Sequence, residues 1–432
     1  MHYNAIPMKT NAANPLVIDQ ILAPAFDILD NYLRCVFKGD GIGDAKLVRL
    51  GVLRVLGQGI SGRDYLQHLA EVHLDPVARS TFFDTFHSPR RRDMLGGLNA
   101  ELVRRNRGRL PDLLAGFPEL KNQPVYAVDG QHIIHGVHAA VDGNGNYVSV
   151  NSLYVHCLHT GLLLNLGAIQ GDGVHRHEMP GFRVYAARWL MDNPARRGPR
   201  PIFVVDLAFV DANFWSWMKI KKEGGAWVIT RMKENMKPVV CGAPAWDRTA
   251  EVNEGVEADE LVGFGNSCVL RRVKYVDPES GTAYEFLTTV MDLAPGLIAL
   301  LYLMRWRIEK VFDTAKNKLQ EIKAWANGTV AQDTQAHILA LTHNLLVLAR
   351  DLLDQQFGIR EVKVEKKRTQ ALSRRREVAA KTGRKVAAFQ RKLPAVVQLT
   401  VQFIRTLRNG IVGKMPWLTA LAHLRRSMES YL

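Results

Sequence analysis

Tyr302, Arg305, Glu309 and Lys316 stand at offsets 0, 3, 7 and 14 in the stretch Tyr302-Leu-Met-Arg-Trp-Arg-Ile-Glu-Lys-Val-Phe-Asp-Thr-Ala-Lys-Asn-Lys-Leu319. No Pro or Gly falls between Leu297 and Gly328, which predicts one long helix. At about 100° per residue the four polar groups share one narrow face. Leu301, Ile308, Phe312 and Leu319 fall on its flank. A carboxylate held between cations beside an apolar flank reads as a site. The plainer reading is an i, i+4 ion pair from Arg305 to Glu309, worth about 0.2–0.5 kcal/mol. Spacing alone leaves both open.

Two further acids end short apolar runs, Val125-Tyr-Ala-Val-Asp129-Gly and Pro201-Ile-Phe-Val-Val-Asp206. A single Asp after a strand is most often a turn residue or a cap. Strand C-termini are also where open α/β sheets build their sites. Two such acids together with Glu309 favour a site. Three carboxylates on separate elements suit Mg2+ or Mn2+, hard cations that take oxygen ligands. A two-metal arrangement aligns an attacking oxygen and stabilises a leaving one. Arg305 and Lys316 suit phosphate, Arg as a planar fork and Lys as a point charge. Tyr302 suits a hydrogen bond to phosphate or to Glu309.

The elements that must position these groups follow from patterning. Residues 15–115 show helical apolar spacing, with Ser61 placed to cap a short helix. Pro111 to Pro124 reads as a boundary. Three strands, a helix, a strand, a helix and a strand follow up to Arg231, the order of an α/β layered domain. Residues 233–292 read as an antiparallel β interruption, with a hairpin turn at Asp277-Pro-Glu-Ser-Gly281. Asp292 then caps the opening helix, with Pro295 in its first turn. Gln332–Leu353 and the stretch from Val396 onward return to helical spacing.

Charge narrows the partner. The 432 residues carry a formal net charge of +15, which favours a polyanion, nucleic acid before an anionic membrane. The apolar run Leu297–Met304 is too short to span a bilayer. Two short helices beside Arg63 and the cluster Arg90, Arg91 and Arg92 could form a helix-turn-helix on DNA, or a solvated bundle edge. Between Arg360 and Lys392, thirteen basic residues face three acidic ones. Lys366, Lys367, Arg374, Arg375 and Arg376 lie in this block, which reads as DNA-backbone contact or as a solvated tail. Cys35, Cys157, Cys241 and Cys268 form no CxxC pair, so neither a disulfide framework nor a zinc module is expected. With no evident signal peptide, a cytoplasmic location is expected. His132, His135 and His138, and the run His175-Arg-His177-Glu178, resemble metal clusters, but read as polar loop residues near phosphate. Trp306 reads as packing before base stacking.

Tyr302-x2-Arg305-x3-Glu309-x6-Lys316 resembles the Y-R-E-K motif of the insertion-sequence-four family of DDE transposases. The strands ending in Asp129 and Asp206 are similar to that family's first and second acid strands. The segments Gly225–Lys233 and Tyr284–Thr289 also look like family segments, and the likeness runs over about residues 120–350. It implies an α/β RNase H-like mixed sheet, interrupted by an antiparallel β insertion at 233–292. Catalytic residues 119–350 would follow a helical DNA-binding domain at 1–118 and precede a basic helical region at 351–432. It implies that Asp129, Asp206 and Glu309 bind two Mg2+ or Mn2+ ions. Tyr302, Arg305 and Lys316 would contact DNA phosphates. The implied reaction is cut-and-paste transposition of double-stranded DNA by hydrolysis and 3′-hydroxyl strand transfer, within a homodimer holding paired ends, with no membrane partner. Some members stack a flipped base on a tryptophan of the insertion; here Trp246 and Trp227 are the nearest upstream. The rival readings are a nuclease without strand transfer and an inactive DNA-binding descendant.

Overall fold

The computed structural model describes residues 14–33, 43–57, 61–71, 76–133, 150–169, 178–192, 199–220, 225–264, 269–321, 323–357, 365–393 and 399–430. The chain opens with α1 (Val17–Ile28), α2 (Asp44–Leu56), α3 (Gly62–Glu71), α4 (Arg79–Asp84) and α5 (Pro89–Asn106). Ser61 Oγ accepts from the Asp64 amide at 3.1 Å, the cap its position predicts. Ser88 does the same for α5, with Pro89 in the first turn.

Among the described residues a sheet of nine strands follows: β1 (Val125–Ile133), β2 (Val150–Cys157), β3 (Leu163–Ile169), β4 (Ile202–Val205), β5 (Trp227–Arg231), β6 (Val239–Gly242), β7 (Val256–Gly263), β8 (Val269–Val276) and β9 (Ala283–Thr288). Their order across the sheet is β3-β2-β1-β4-β5-β9-β8-β7-β6. Strands β1, β4 and β5 run parallel, and the other pairings are antiparallel. The strands read as an interruption thus extend the central sheet, because β9 pairs with β5. The turn at Asp277–Gly281 forms as its sequence predicts, closed by the Gly281 amide on the Asp277 carbonyl at 2.7 Å.

Alternation along the strands sorts the two faces. Tyr126, Val128, Phe203 and Val205 point to one side, under α6 (Glu178–Asp192) and α7 (Ala212–Ile220). Val125, Ala127, Ile202 and Val204 point to the other, under α8 (Pro295–Met304) and α9 (Trp306–Asp313). The long α10 (Thr329–Phe357) lies between sheet and helical layer. It is apolar and long enough to cross a membrane, but 78% of its apolar window is buried inside the protein. Asn344 on α10 closes the edge strand β3: its Oδ1 accepts from the Leu163 amide at 2.7 Å and its Nδ2 donates to the Leu163 carbonyl at 2.8 Å.

The chain ends in α11 (Glu365–Lys381), α12 (Ala388–Lys392), α13 (Val401–Val412) and α14 (Trp417–Ser430). Helices α13 and α14 share one apolar core with α1, α2, α5 and α10. The Val17 amide bonds the Met415 carbonyl at 3.0 Å, and the Trp417 amide the Pro15 carbonyl at 2.7 Å. Helices α1, α13 and α14 therefore pack with α10 as one body.

Two local expectations are corrected. The helix expected to run unbroken from Leu297 is divided at Arg305 and passes into a wide π turn at Thr314–Lys318. The Arg305 amide bonds Tyr302, and the Ile308 amide bonds Arg305, three residues back in each case. A constant 100° step therefore fails on both sides of Glu309. The cap expected from Asp292 is not made. Instead Asn253 Oδ1, in the β insertion, accepts from the Gly296 amide at 2.9 Å.

Candidate active site

Register builds the site. Val128 on β1 pairs with Val205 on β4, and Val204 with Ile229 on β5. One step on from Val128–Val205, and two from Val204–Ile229, Asp129, Asp206 and Arg231 continue the register as a row across three parallel strands. Alternation turns all three toward the face under α8 and α9. Local bonds hold the acids in place. Asp129 Oδ1 accepts from the Gly130 amide at 2.9 Å, and Asp206 Oδ1 from the Leu207 amide at 2.7 Å. Thr230 Oγ donates to the Asp206 carbonyl at 3.2 Å.

Arg305 joins the helix to this row. Its Nη1 lies 3.1 Å from Asp129 Oδ2, and its Nη2 2.6 Å from Glu309 Oε1. The side chain is buried, while Glu309 remains partly open to solvent. Burial alone would weaken the charge, yet Asp206, Asp129 and Glu309 together hold Arg305 above its ordinary pKa. Burial pushes Asp129 up to about 6; Glu178 and Asp206 add to that, and Arg305 opposes it. The i, i+4 ion pair exists, but the same guanidinium also reaches across to the sheet.

Tyr302 is buried, its ring 5.0 Å from that of Phe286. Burial raises it to about 12, so it stays a neutral hydrogen-bond donor. Lys316 sits exposed in the π turn and makes no hydrogen bond or ion pair among the described residues. Trp306 is 56% exposed, so the packing expected of it is not made. Its ring lies 5.6 Å from the Arg305 guanidinium carbon.

Strands β7 and β8 support the start of α8 from behind. Arg271 on β8 makes a two-pronged pair with Asp259 on β7, at 2.8 and 2.6 Å. Its third nitrogen donates at 2.7 Å to the Leu293 carbonyl, in the segment entering α8. A Cβ at Gly296 would collide with the Val252 carbonyl, so the insertion packs directly on the start of α8.

The basic residues separate by environment. Arg63 on α3 is exposed. Arg90 makes two bonds to Asp44, Arg91 is buried, and Arg92 pairs with Asp93 and lies near Asp333. On α11, Lys366, Arg374 and Arg376 are exposed, whereas Arg375 pairs with Glu279 on the β8–β9 turn at 2.5 Å. The side chain of Lys367 lies outside the described residues. So do His135, His138, His175 and His177, the side chain of His132, and Cys35 and Cys268.

Arg231 escaped the sequence reading, and Glu178 was read only as part of a histidine-rich run. Arg231 stands over the Tyr284 ring at 5.4 Å and acts electrostatically on Tyr302. The strand-end rule applied to the acids would have found it. Glu178 acts on Asp129, and its sequence signal was absorbed by the neighbouring histidines.

Residues 121–345 match the transposase DDE domain. The chain belongs to the DDE transposase family. Transposases act on DNA, and domains of this kind generally use divalent metals. No curated protein matches the chain. Among the described residues, no three His, Cys, Asp or Glu side chains stand close enough to hold a metal ion. The donor chemistry nevertheless fits a hard cation: Asp129 and Asp206 are oxygen donors at adjoining register positions, partly desolvated, and each is drawn to positive charge. In this structure Arg305 supplies that charge.

Proposed function

We propose that this DDE transposase acts by cut-and-paste transposition of an insertion sequence of the insertion-sequence-four type. The observation that carries the reading is the Asp129–Arg305–Glu309 linkage, which ties the motif helix to the acid row. The order β3-β2-β1-β4-β5, with β1, β4 and β5 parallel, supports an RNase H-like core extended by the β insertion.

In this reading Asp129, Asp206 and Glu309 would hold the divalent cations, two Mg2+ or Mn2+ ions per site. When bound, such ions polarise a phosphodiester and activate water or a 3′-hydroxyl. Arg305 offers a planar fork to a phosphate oxygen, and a phosphate competing for it would release Asp129 and Glu309. Tyr302 remains protonated and can donate to phosphate or hold Arg305. Lys316 is free to meet DNA as a point charge. Arg63, Lys366, Arg374 and Arg376 are the exposed cations for backbone contact. Double-stranded transposon ends and target DNA are the partners, held by a homodimer in the cytoplasm.

Glu309→Gln tests the reading. Cleavage of DNA bearing the element's ends should disappear while end binding persists. Cleavage that continues would remove Glu309 from the centre. Strand transfer by the wild-type protein in the same assay separates a transposase from a nuclease.

A further inference from the structure

Arg231 ends β5, one strand beyond Asp206 in the row across the sheet. Its backbone is fixed. Arg231 pairs with Phe286 on β9, and the Met232 amide bonds the Glu285 carbonyl at 2.8 Å. The side chain is steered by aromatic rings. Its guanidinium carbon lies 5.4 Å from the centre of the Tyr284 ring. Tyr284 stacks on Phe286 at 5.7 Å, and the Phe286 ring lies 5.0 Å from that of Tyr302. Arg231 in turn acts electrostatically on Tyr302. A cation seated on a ring at a strand end is held with few rotamers open to it.

Its charge is not neutralised within the protein. Among the described residues Arg231 makes no ion pair, and its Nε is buried without a hydrogen-bond partner. The acids of the row bind other groups: Asp129 takes Arg305 and the Gly130 amide, and Asp206 takes the Leu207 amide. Other arginines packed against the sheet behave differently. Arg271, Arg305 and Arg375 each close a pair with a carboxylate. Arg231 is half-buried, not sealed in. A guanidinium held on an aromatic face with donors left over suits a phosphate, which accepts two parallel N–H bonds from it.

We propose that Arg231 is a second phosphate-binding guanidinium of the centre, seated by Tyr284, and that it takes the DNA phosphate next to the one cut, on the β5 side of the acid row. Arg305 flanks the row at Asp129 and Arg231 flanks it beyond Asp206, so the two guanidiniums bracket the acids. The inference rests on the reading that DNA is cut at the acid row.

Binding of the full chain to a labelled duplex carrying the element's terminal base pairs, read by fluorescence anisotropy, tests this. Uncharged methylphosphonates are placed one at a time around the cut. For the wild type, one position beside the cut should weaken binding about tenfold. Arg231→Ala and Arg231→Gln should bind the unmodified duplex about tenfold more weakly. They should lose the penalty at that one position and keep it at the others. Their slope of log affinity against log salt should flatten by about 0.9. A merely structural arginine would give no loss confined to one phosphate. If both Arg231 variants keep every penalty and the wild-type slope, the contact is overturned. A penalty lost in Lys316→Ala at a position of its own would then leave the centre standing. If no methylphosphonate beside the cut weakens the wild type, DNA does not lie along the acid row and both readings fall.

Discussion

Arg305 Nη1 lies 3.1 Å from Asp129 Oδ2, a bond between residues 176 positions apart. It is made by a buried guanidinium whose other arm holds Glu309. Removing one member of a buried pair leaves the other charge uncompensated, at a cost of about 3–5 kcal/mol. Arg305→Met should therefore lower the urea unfolding midpoint strongly and abolish cleavage. Asp129→Asn added to Arg305→Met should recover much of the stability and none of the cleavage. A double variant as unstable as the sum of the two single ones would show that the pair is not coupled.

Trp306 offers the opposite case. A ring that is 56% exposed on the motif helix adds little to the core. Trp306→Ala should leave stability within about 0.5 kcal/mol. If the ring meets an unpaired base beside the site, end binding should weaken by about 1–3 kcal/mol, read by titration of DNA with an unpaired terminal nucleotide. Equal affinities for the variant and the wild type would return Trp306 to an incidental surface role.

How much was legible in the sequence follows from what each signal depends on. The acid strands were legible because Val125–Asp129 and Ile202–Asp206 are local apolar runs, but only Asp206 follows its strand directly, since β1 runs past Asp129 to Ile133 in pairing with β2. Their parallel pairing was not written there, since Val128 meets Val205 only through the crossover. Arg305 and Glu309 were found by spacing. The break at Arg305 and the π turn were missed because a residue count assumes one helical pitch, whereas Arg305 is drawn to a strand far upstream. The cap on α8 was assigned to Asp292 because that residue is near in sequence; Asn253 reaches it through the insertion fold. Glu178 was visible as an acid among histidines. Its place beside Gly130 depends on α6 crossing the sheet, which no short motif records.

Asn344 tests the joint between the helical layer and the sheet. Its amide satisfies both backbone groups of Leu163 and donates to Asn99 Oδ1 at 2.7 Å. Asn344→Ala would leave buried donors and acceptors unpaired, each costing about 1–3 kcal/mol. The urea midpoint should fall, and exchange of the Leu163 amide should quicken more than that of Val128. Equal protection at both positions would mean that β3 does not depend on this side chain.

Glu321 gives a pH signature of folding away from the acid row. Burial pushes its carboxyl up to about 7, against Arg54 and the hydrogen bonds from Gln335 and Trp325. The unfolded carboxyl titrates near 4.5. Between these values the folded state binds more proton than the unfolded one, so stability falls as pH rises and levels off above about 7. Glu321→Gln removes the ionisation. It should match the wild type near pH 4.5 and exceed it at pH 8, by up to roughly 2–3 kcal/mol. A stability difference that does not change between pH 5 and 8 would exclude Glu321 as its source.

Arg374 and Arg376 on α11 are exposed, while Arg375 between them is held by Glu279 at 2.5 Å. One helix thus carries both a docking cation and free ones. Each cation that neutralises a DNA phosphate contributes about 0.9 to the slope of log affinity against log salt. If α11 lies along the backbone, Arg374→Ala with Arg376→Ala should flatten that slope by roughly 2, about equally for end and unrelated DNA. Stability should stay within about 0.5 kcal/mol. Arg375→Ala should act on the protein first. It loosens α11 from the β8–β9 turn, with a loss of about 0.2–1 kcal/mol for a half-exposed pair. A slope that responds to Arg375→Ala but not to the outer pair would place the DNA on the other side of the helix.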